Sequence, residues 1–410
     1  MKGFTASVAG LLLLFAGPAA YAQSAVFGSE AFHGLAEVRL ASVDGEAGWL
    51  AGGFGKTDAK DGLSLSDVAL EWTPRFNFAV GALVTADLQP QINDHVDLGE
   101  AYLKLKAPPS ALGRLSGRVG LFFPPVSLEN TGVAWTHPDM ISASALNSWI
   151  GEEVKVAGVE ATWARQFGEH DLSFTGAAFG WNDTSATLLT FRGWALGAVK
   201  APTRHAFELP PLSAFMATRQ GDETYPVREL DNRAGYYGRI EWRPPAPVVL
   251  EALYYDNAGD RTAMDAERQW AWETRFFDLG LRADLGERTR LLVQAMSGET
   301  LMGYKYLGRD RWVDMGLRAA YLEMRRAYGD DALSGRLDWF ETRDRTLQAL
   351  DNNDETGWAA TAAWRHRLAP HADLILEALH VASDRPSRAN GGVAPKQDQT
   401  VLQSALRLHF

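Results

Sequence analysis

The sequence predicts an all-β protein: a transmembrane antiparallel β-barrel of about sixteen strands, with one long loop folded inward after the fifth strand. Three observations predict it. Apolar and polar residues alternate with period two through successive segments of roughly ten residues, as expected of strands with one face in lipid and one in water. The connections between those segments alternate between short and long. Finally, the chain opens with an export signal, yet no later apolar run approaches the roughly 18 residues of a transmembrane helix.

The signal is read from Met1-Lys2, the apolar stretch Val8 to Ala16, and Ala20-Tyr21-Ala22 before Gln23. These are a positive start, an apolar core too short to span a bilayer and small residues at a cleavage site. Residues 1–22 are therefore expected to be a signal peptide and 23–410 a single barrel domain. There is no cysteine, which excludes disulfide staples and thiolate metal sites. A net charge of −11 argues against nucleic acid as a partner, because phosphate binding needs a basic footprint. No linker or composition shift divides the 410 residues; one large closed sheet reconciles that length with a single domain.

The first strand, Phe32 to Ala41, sets Phe32, Ala36, Val38 and Leu40 against His33, Glu37 and Arg39. Asp67–Thr73 sets Val68, Leu70 and Trp72 against Asp67, Glu71 and Thr73. Phe78–Leu88, Glu100–Lys106 and Arg114–Phe123 continue the pattern. After a long interruption come Val154–Arg165, Leu172–Trp181, Arg233–Arg243, Val248–Asp256, Arg275–Asp284, Arg290–Ser297, Val313–Arg325, Leu333–Thr342, Trp358–Arg367, Asp373–Ser383 and Val401–Phe410. Two pairs break parity, Lys155 with Glu160 and Arg318 with Glu323; each requires a bulge or a displaced strand end. Short turns such as Pro74–Asn77 and Gly286–Glu287 alternate with long connections such as Val43–Leu63 and Asn182–Asn232. That alternation is expected when hairpins face two compartments, short turns to the periplasm and long loops outside.

The interruption, Phe122–Glu153, is too long for a turn and lacks strand alternation. Pro124-Pro125 stops a strand, and Thr136-Pro138-Asp139 has the composition of a helix start. A short helix presenting Ile141, Ala145 and Trp149 on one face, ended by Gly151, is expected to pack against a wall. Trp72, Trp163, Trp242 and Trp364 each lie on the apolar face a few residues before a short turn, and Phe410 joins them. Together they read as an interfacial aromatic girdle.

The last ten residues, Val401 to Phe410, carry apolar side chains at Leu402, Leu406, Leu408 and the terminal Phe410. This resembles the C-terminal strand of bacterial outer-membrane barrels, and the whole layout resembles the sixteen-stranded porins, the phosphate-selective type included. The resemblance implies an outer-membrane channel for passive diffusion of small hydrophilic solutes, a homotrimer, recognition of the last strand by the barrel-assembly machinery, and a loop after strand five that narrows the pore. Residues 122–153 occupy that place, and 182–232 form a second long extracellular loop. Its Trp194, Phe207, Phe215 and Tyr225 are enough apolar surface to cap the barrel or meet a neighbour.

Closure of sixteen strands is expected to leave a water-filled lumen. By parity Arg39, Lys104, Arg118, Arg282, Arg318 and Arg336 are expected on the pore wall opposite the loop acids Glu129 and Asp139, giving a transverse field and an anion preference. For any single residue, pairing across neighbouring strands is the ordinary role. Inward aromatics are few (Tyr102, Tyr237, Tyr255), which weighs against a sugar-specific channel. The alternatives are a substrate-specific channel for sugars or organic acids, and a non-conducting adhesive barrel. No enzyme motif, metal-ligand spacing or cofactor-binding element stands out. His380 and Ser404 share the lipid-facing side and are the one pair open to a lipase reading.

Overall fold

The structure, a computed structural model, describes residues 25–92, 95–306, 309–310, 312–346 and 350–410. The expected signal peptide lies outside the described residues. The long strands are β1 (Phe32–Asp44), β2 (Gly62–Trp72), β3 (Val80–Leu88), β4 (Asp97–Lys106), β5 (Arg114–Phe122), β6 (Val156–Phe167), β7 (His170–Gly180) and β8 (Gly235–Arg243). They continue with β9 (Val248–Asp256), β10 (Glu273–Leu285), β11 (Thr289–Met302), β12 (Val313–Tyr328), β13 (Asp331–Asp344), β14 (Glu355–Ala369), β15 (Ala372–Asp384) and β16 (Lys396–His409). Each pairs antiparallel with its sequence neighbours, and β1 pairs with β16 to close the barrel. Closure leaves no unpaired edge, the condition for a sheet in hydrocarbon.

All sixteen segments predicted from alternation are strands, with ends displaced by a few residues. β2 begins five residues earlier than expected because Ser66 is a bulge: Glu37 pairs with Asp67 while Val38 pairs with Leu65. The extra residue breaks the period of two and hides Leu63 and Leu65, which face outward beyond it. Both parity conflicts resolve. Lys155 lies before the start of β6. On β12 the inward set is Leu317, Tyr321 and Glu323, whereas Arg318 is exposed on the outer face.

The outer surface carries an apolar band, with Leu70, Leu103, Val119, Ile240, Leu279, Leu322, Leu337 and Leu402 all exposed. In water such a band would drive aggregation; facing lipid it is the expected exterior. At the short-turn end the four girdle indoles face outward. Their N–H groups reach the Val26 carbonyl (2.8 Å) from Trp72, the Leu112 carbonyl (2.8 Å) from Trp163, His170 (3.2 Å) from Trp242 and Asp331 (3.0 Å) from Trp364. Each indole thus lays its ring on the apolar band and its polar tip toward the turns. Phe410 lies over Gly34: a Cβ there would stand 2.1 Å from the Phe410 ring.

The lumen is not filled by water alone. An apolar core forms inside its extracellular half, where Phe179, Phe276 and Tyr255 of the inner wall meet Trp149, Trp194 and Leu196 of the loops. Phe179 stacks on Tyr255 (5.0 Å), Tyr255 on Phe276 (4.7 Å), and Phe276 meets Trp149 (5.8 Å). This corrects the expected count of inward aromatics.

Candidate functional site: the inward loop and the vestibule beneath it

Residues 123–155 leave β5 and cross the barrel to the opposite wall. Their backbone groups, taken out of water, are satisfied by inward-facing wall side chains. The amide N–H of Ile141 donates to Glu377 of β15 (2.7 Å), and that of Ala145 to Asp338 of β13 (2.9 Å). Arg336, fully buried, donates to the carbonyls of Ser142 (2.7 Å) and Ala143 (2.8 Å) and pairs with Asp338 (3.0 Å). Arg407 of β16 holds the His137 carbonyl (2.6 Å) and pairs with Glu37 (2.6 Å). Gln294 of β11 accepts from Asn147 (3.1 Å).

These bonds explain why the expected helix does not form. Its first amides, at Ile141, Ser142, Ala143 and Ser144, donate to Glu377, Glu377, the Gly197 carbonyl and Glu129. The chain instead runs in turns, with i to i−4 bonds appearing only between Ser144 and Glu153. Ile141 packs on Ile375 and Ala405, and Trp149 on Phe276 and Trp194, so Ile141, Ala145 and Trp149 do not share one face.

A second loop, 181–234, lies over the first. Its helix α1 (Ala186–Arg192) is buried throughout. Ala143 N–H donates to the Gly197 carbonyl (2.6 Å), Ser148 to the Ala195 carbonyl (2.6 Å), and Trp149 Nε1 to the Ser185 carbonyl (3.0 Å). Glu153 pairs with Arg192 (2.5 Å). Burial pushes the Glu153 carboxyl up to about 7, against the pull of Arg192. Phe207 packs edge-on against Trp49 of the loop after β1, and Lys200 reaches Asp67 on the wall (2.8 Å).

The predicted site residues therefore separate. Glu129 is buried and accepts the Ser144 amide (2.6 Å) rather than facing a passage. Asp139 is clamped between Arg325 (2.5 Å) and Arg365 (2.8 Å). Arg39 and Arg336 stand on the inner wall but are covered by loops, Arg39 by Asp58 (3.2 Å) from the loop after β1. Arg118 pairs with Glu160 across β5 and β6 (2.9 Å). Lys104 and Arg282 are half-buried on the inner wall. Arg318 is not a pore residue: it faces lipid, because the inward parity of β12 belongs to Glu323. Loop acids and those six cations thus do not line opposite sides of an open slot.

Beneath the inward loop, toward the short turns, lies a cavity of about 370 Å³ lined by Arg290, Arg325, Arg365, Arg367 and Arg407, with Asp139, Asp373 and His409. Asp284 and Glu37 partner Arg290 and Arg407 from the side, leaving five guanidiniums against four carboxylates. Arg290, Arg365 and Arg407 stand on the inward parity of their strands, and the strand ends gather them.

Among the described residues two clusters have metal-ligand composition, Asp183 with Glu229 and Asp231, and Glu129 with His137 and Glu323. His137 Nδ1 accepts two backbone amides, from Asp139 (3.1 Å) and Met140 (3.0 Å). Its proton therefore sits on Nε2, donated to Glu323 at 3.0 Å. A metal at Nε2 would move that proton to Nδ1, where both amides point, so the residues fit a latch between loop and wall better than a metal centre. On the outer face His380 bonds Thr400 (3.0 Å), while Ser404 stands opposite Leu376, so the pair named for a lipase reading is not assembled.

No family model and no curated protein matches the sequence. Solved structures do match in fold. The outer membrane channel DcaP of Acinetobacter baumannii superposes with a TM-score of 0.55 at 10% identity, over 92% of this chain and 96% of that one. The likeness is one of fold. A loop L8 deletion mutant of OmpT, an outer membrane protein of Vibrio cholerae, gives 0.52 at 9% identity (92% and 98% covered). OprB of Pseudomonas putida gives 0.51 at 11% identity (92% and 93% covered). A closed sixteen-stranded barrel with an apolar outer band places the chain in the bacterial outer membrane.

Proposed function

We propose that this chain is a porin-type channel for passive diffusion of small hydrophilic solutes, with a modest preference for anions. The observation that carries the anion preference is the arginine-lined vestibule beneath the inward loop. A low-dielectric wall focuses the field of fixed guanidiniums into the water they enclose, which raises the local concentration of anions. Mg²⁺-free planar bilayers with a KCl gradient test it. A reversal potential of the anion-selective sign is expected, moving toward zero in Arg365→Gln/Arg367→Gln; clear cation selectivity in the wild type would sink the proposal.

The filled extracellular half favours a substrate-specific channel as the second reading. Loops that pack a core across the mouth admit fewer solutes than an open slot. That reading predicts saturating flux for one solute class, a sugar or an organic acid, and low conductance to salt. A non-conducting adhesive barrel predicts no conductance steps at all. Assembly as a homotrimer, and delivery by the barrel-assembly machinery through the strand ending at Phe410, belong to the same proposal.

A further inference from the structure

Arg318, misplaced by parity, marks a second polar site, on the lipid side of the wall. The strand register places it relative to its outward neighbours. One outward row runs Ala252, Leu279, Ala295, Ala320, Trp339, Trp358 and is apolar throughout. The next row toward the long loops runs Tyr254, Phe277, Ser297, Arg318, Glu341, Thr356, and the one beyond it contains Arg275, Glu299 and Arg343. Along these strands the outward residues change from apolar to charged at this register, which puts Arg318 at the loop-side edge of the apolar band. A guanidinium facing lipid is costly at the bilayer midplane and costs little at the interface, where headgroups can meet it.

Small residues at Ser297, Gly298 and Gly316 leave a hollow there of about 610 Å³, lined by Tyr254, Arg275 and Phe277 toward one side and by Arg318, Arg343 and Arg345 toward the other. Two carboxylates, Glu299 and Glu341, line it, and a third, Asp314, meets Arg345 from outside the lining. Glu299 takes Arg275 and Arg345, Asp314 takes Arg345 (2.5 Å), and Glu341 is divided between Arg343 (3.0 Å) and Arg318 (3.8 Å). Four guanidiniums thus meet three carboxylates. Among the described residues Arg318 is the least satisfied of the four, with its side chain 55% exposed and one distant partner.

We propose that this hollow binds a phosphate group of an outer-leaflet lipid headgroup, taken by Arg318 and Arg343 while the acyl chains run down the apolar rows below. Guanidinium matches phosphate by paired N–H donors, and the position on the lipid face selects a membrane-borne phosphate over a dissolved one. Tyr254 supplies an amphipathic edge for such a headgroup, and Phe277 an apolar surface for the start of the acyl chains.

The test uses the full barrel in nanodiscs containing bisphosphorylated lipid A, with lipid retained after detergent extraction read by native mass spectrometry. Wild type is expected to retain the lipid, and Arg318→Gln/Arg343→Gln to retain it at least about tenfold less. Lys396→Gln, which removes an exposed cation elsewhere on the same rim, is expected to behave as wild type. Equal retention of dephosphorylated lipid A, equal loss in Lys396→Gln, or displacement by millimolar inorganic phosphate would each overturn the proposal. A change of oligomeric state in the double variant would also overturn it, since the hollow would then be a contact between copies. Unaltered heat-modifiable gel mobility shows that the variants fold.

Discussion

Arg336 donates through Nε to Asp338 and through its two Nη atoms to the carbonyls of Ser142 and Ala143, so one buried wall charge and two loop carbonyls satisfy each other. Removing one partner of a buried ion pair generally costs about 3–5 kcal/mol, because the other charge is stranded. Arg336→Gln is therefore expected to release the loop while the barrel, held by its own ladder, stays closed. The measurement is hydrogen exchange across 141–148, which should accelerate strongly, with noisier open-channel current; unchanged protection would mean that Arg336 holds nothing. A residue of this kind was half legible in the sequence. Alternation placed Arg336 on the inner face, but no pattern shows what lies against that face. Arg318 shows the reverse: at a strand whose ends are unknown, one acid and one base of opposite parity cannot say which of them is inside.

Elements were legible in proportion to the contrast between their two faces. Mid-barrel segments alternate sharply and were found; β16 reaches back to Lys396 and β11 on to Met302, where the rim leaves both faces polar or loops make both faces apolar. Phe276 and Phe277 are neighbours facing opposite ways, one into the lumen core and one into lipid, and nothing in the residue type separates them. The inward loop was recognisable by what it lacked. Its conformation was not, because wall carboxylates take the amides that a helix would use. The seam between β1 and β16 gives an element-scale prediction: Gly34 and Phe410 exchange backbone bonds (3.1 and 3.2 Å), and the ring occupies the space over Gly34. Gly34→Leu must displace the ring, so less folded barrel should reach the membrane, read as a reduced heat-modifiable band; an unaffected yield would show that the ring's seat is unimportant.

The join between the two long loops is expected to be pH-dependent. Glu153 has a folded-state value of about 7, above the ordinary 4.5, so the packed state binds the extra proton. Packing is then fully stabilised below about pH 4.5 and weakens as pH rises through about 7, by an amount on the order of 3 kcal/mol for a shift of this size. Hydrogen exchange across Ala186–Arg192, corrected for intrinsic rate, should be faster at pH 8 than at pH 5. Glu153→Gln should abolish that difference, and a difference that persists in the variant would assign it to another group.

At the scale of the whole molecule, the barrel is a closed ladder and the loops are its contents. The ladder of sixteen strands needs nothing from the lumen to close, which is why its architecture could be read from alternation and connection lengths alone. The lumen is specified by long-range pairs such as Ile141 with Glu377 and Lys200 with Asp67, separated by more than a hundred residues, and no local pattern encodes those. On the proposed reading the passage is set by the loops inside the barrel, with residues 123–155 crossing it and the arginine vestibule beneath. Single-channel recording of the wild type beside a variant lacking Asn130–Ser148 tests this directly. The deletion removes the crossing segment together with its anchors to Glu377, Asp338, Arg336 and Arg407. Conductance is expected to rise severalfold while the barrel keeps its heat-modifiable fold. An unchanged conductance in a correctly folded deletion would contradict an inward loop that governs the pore.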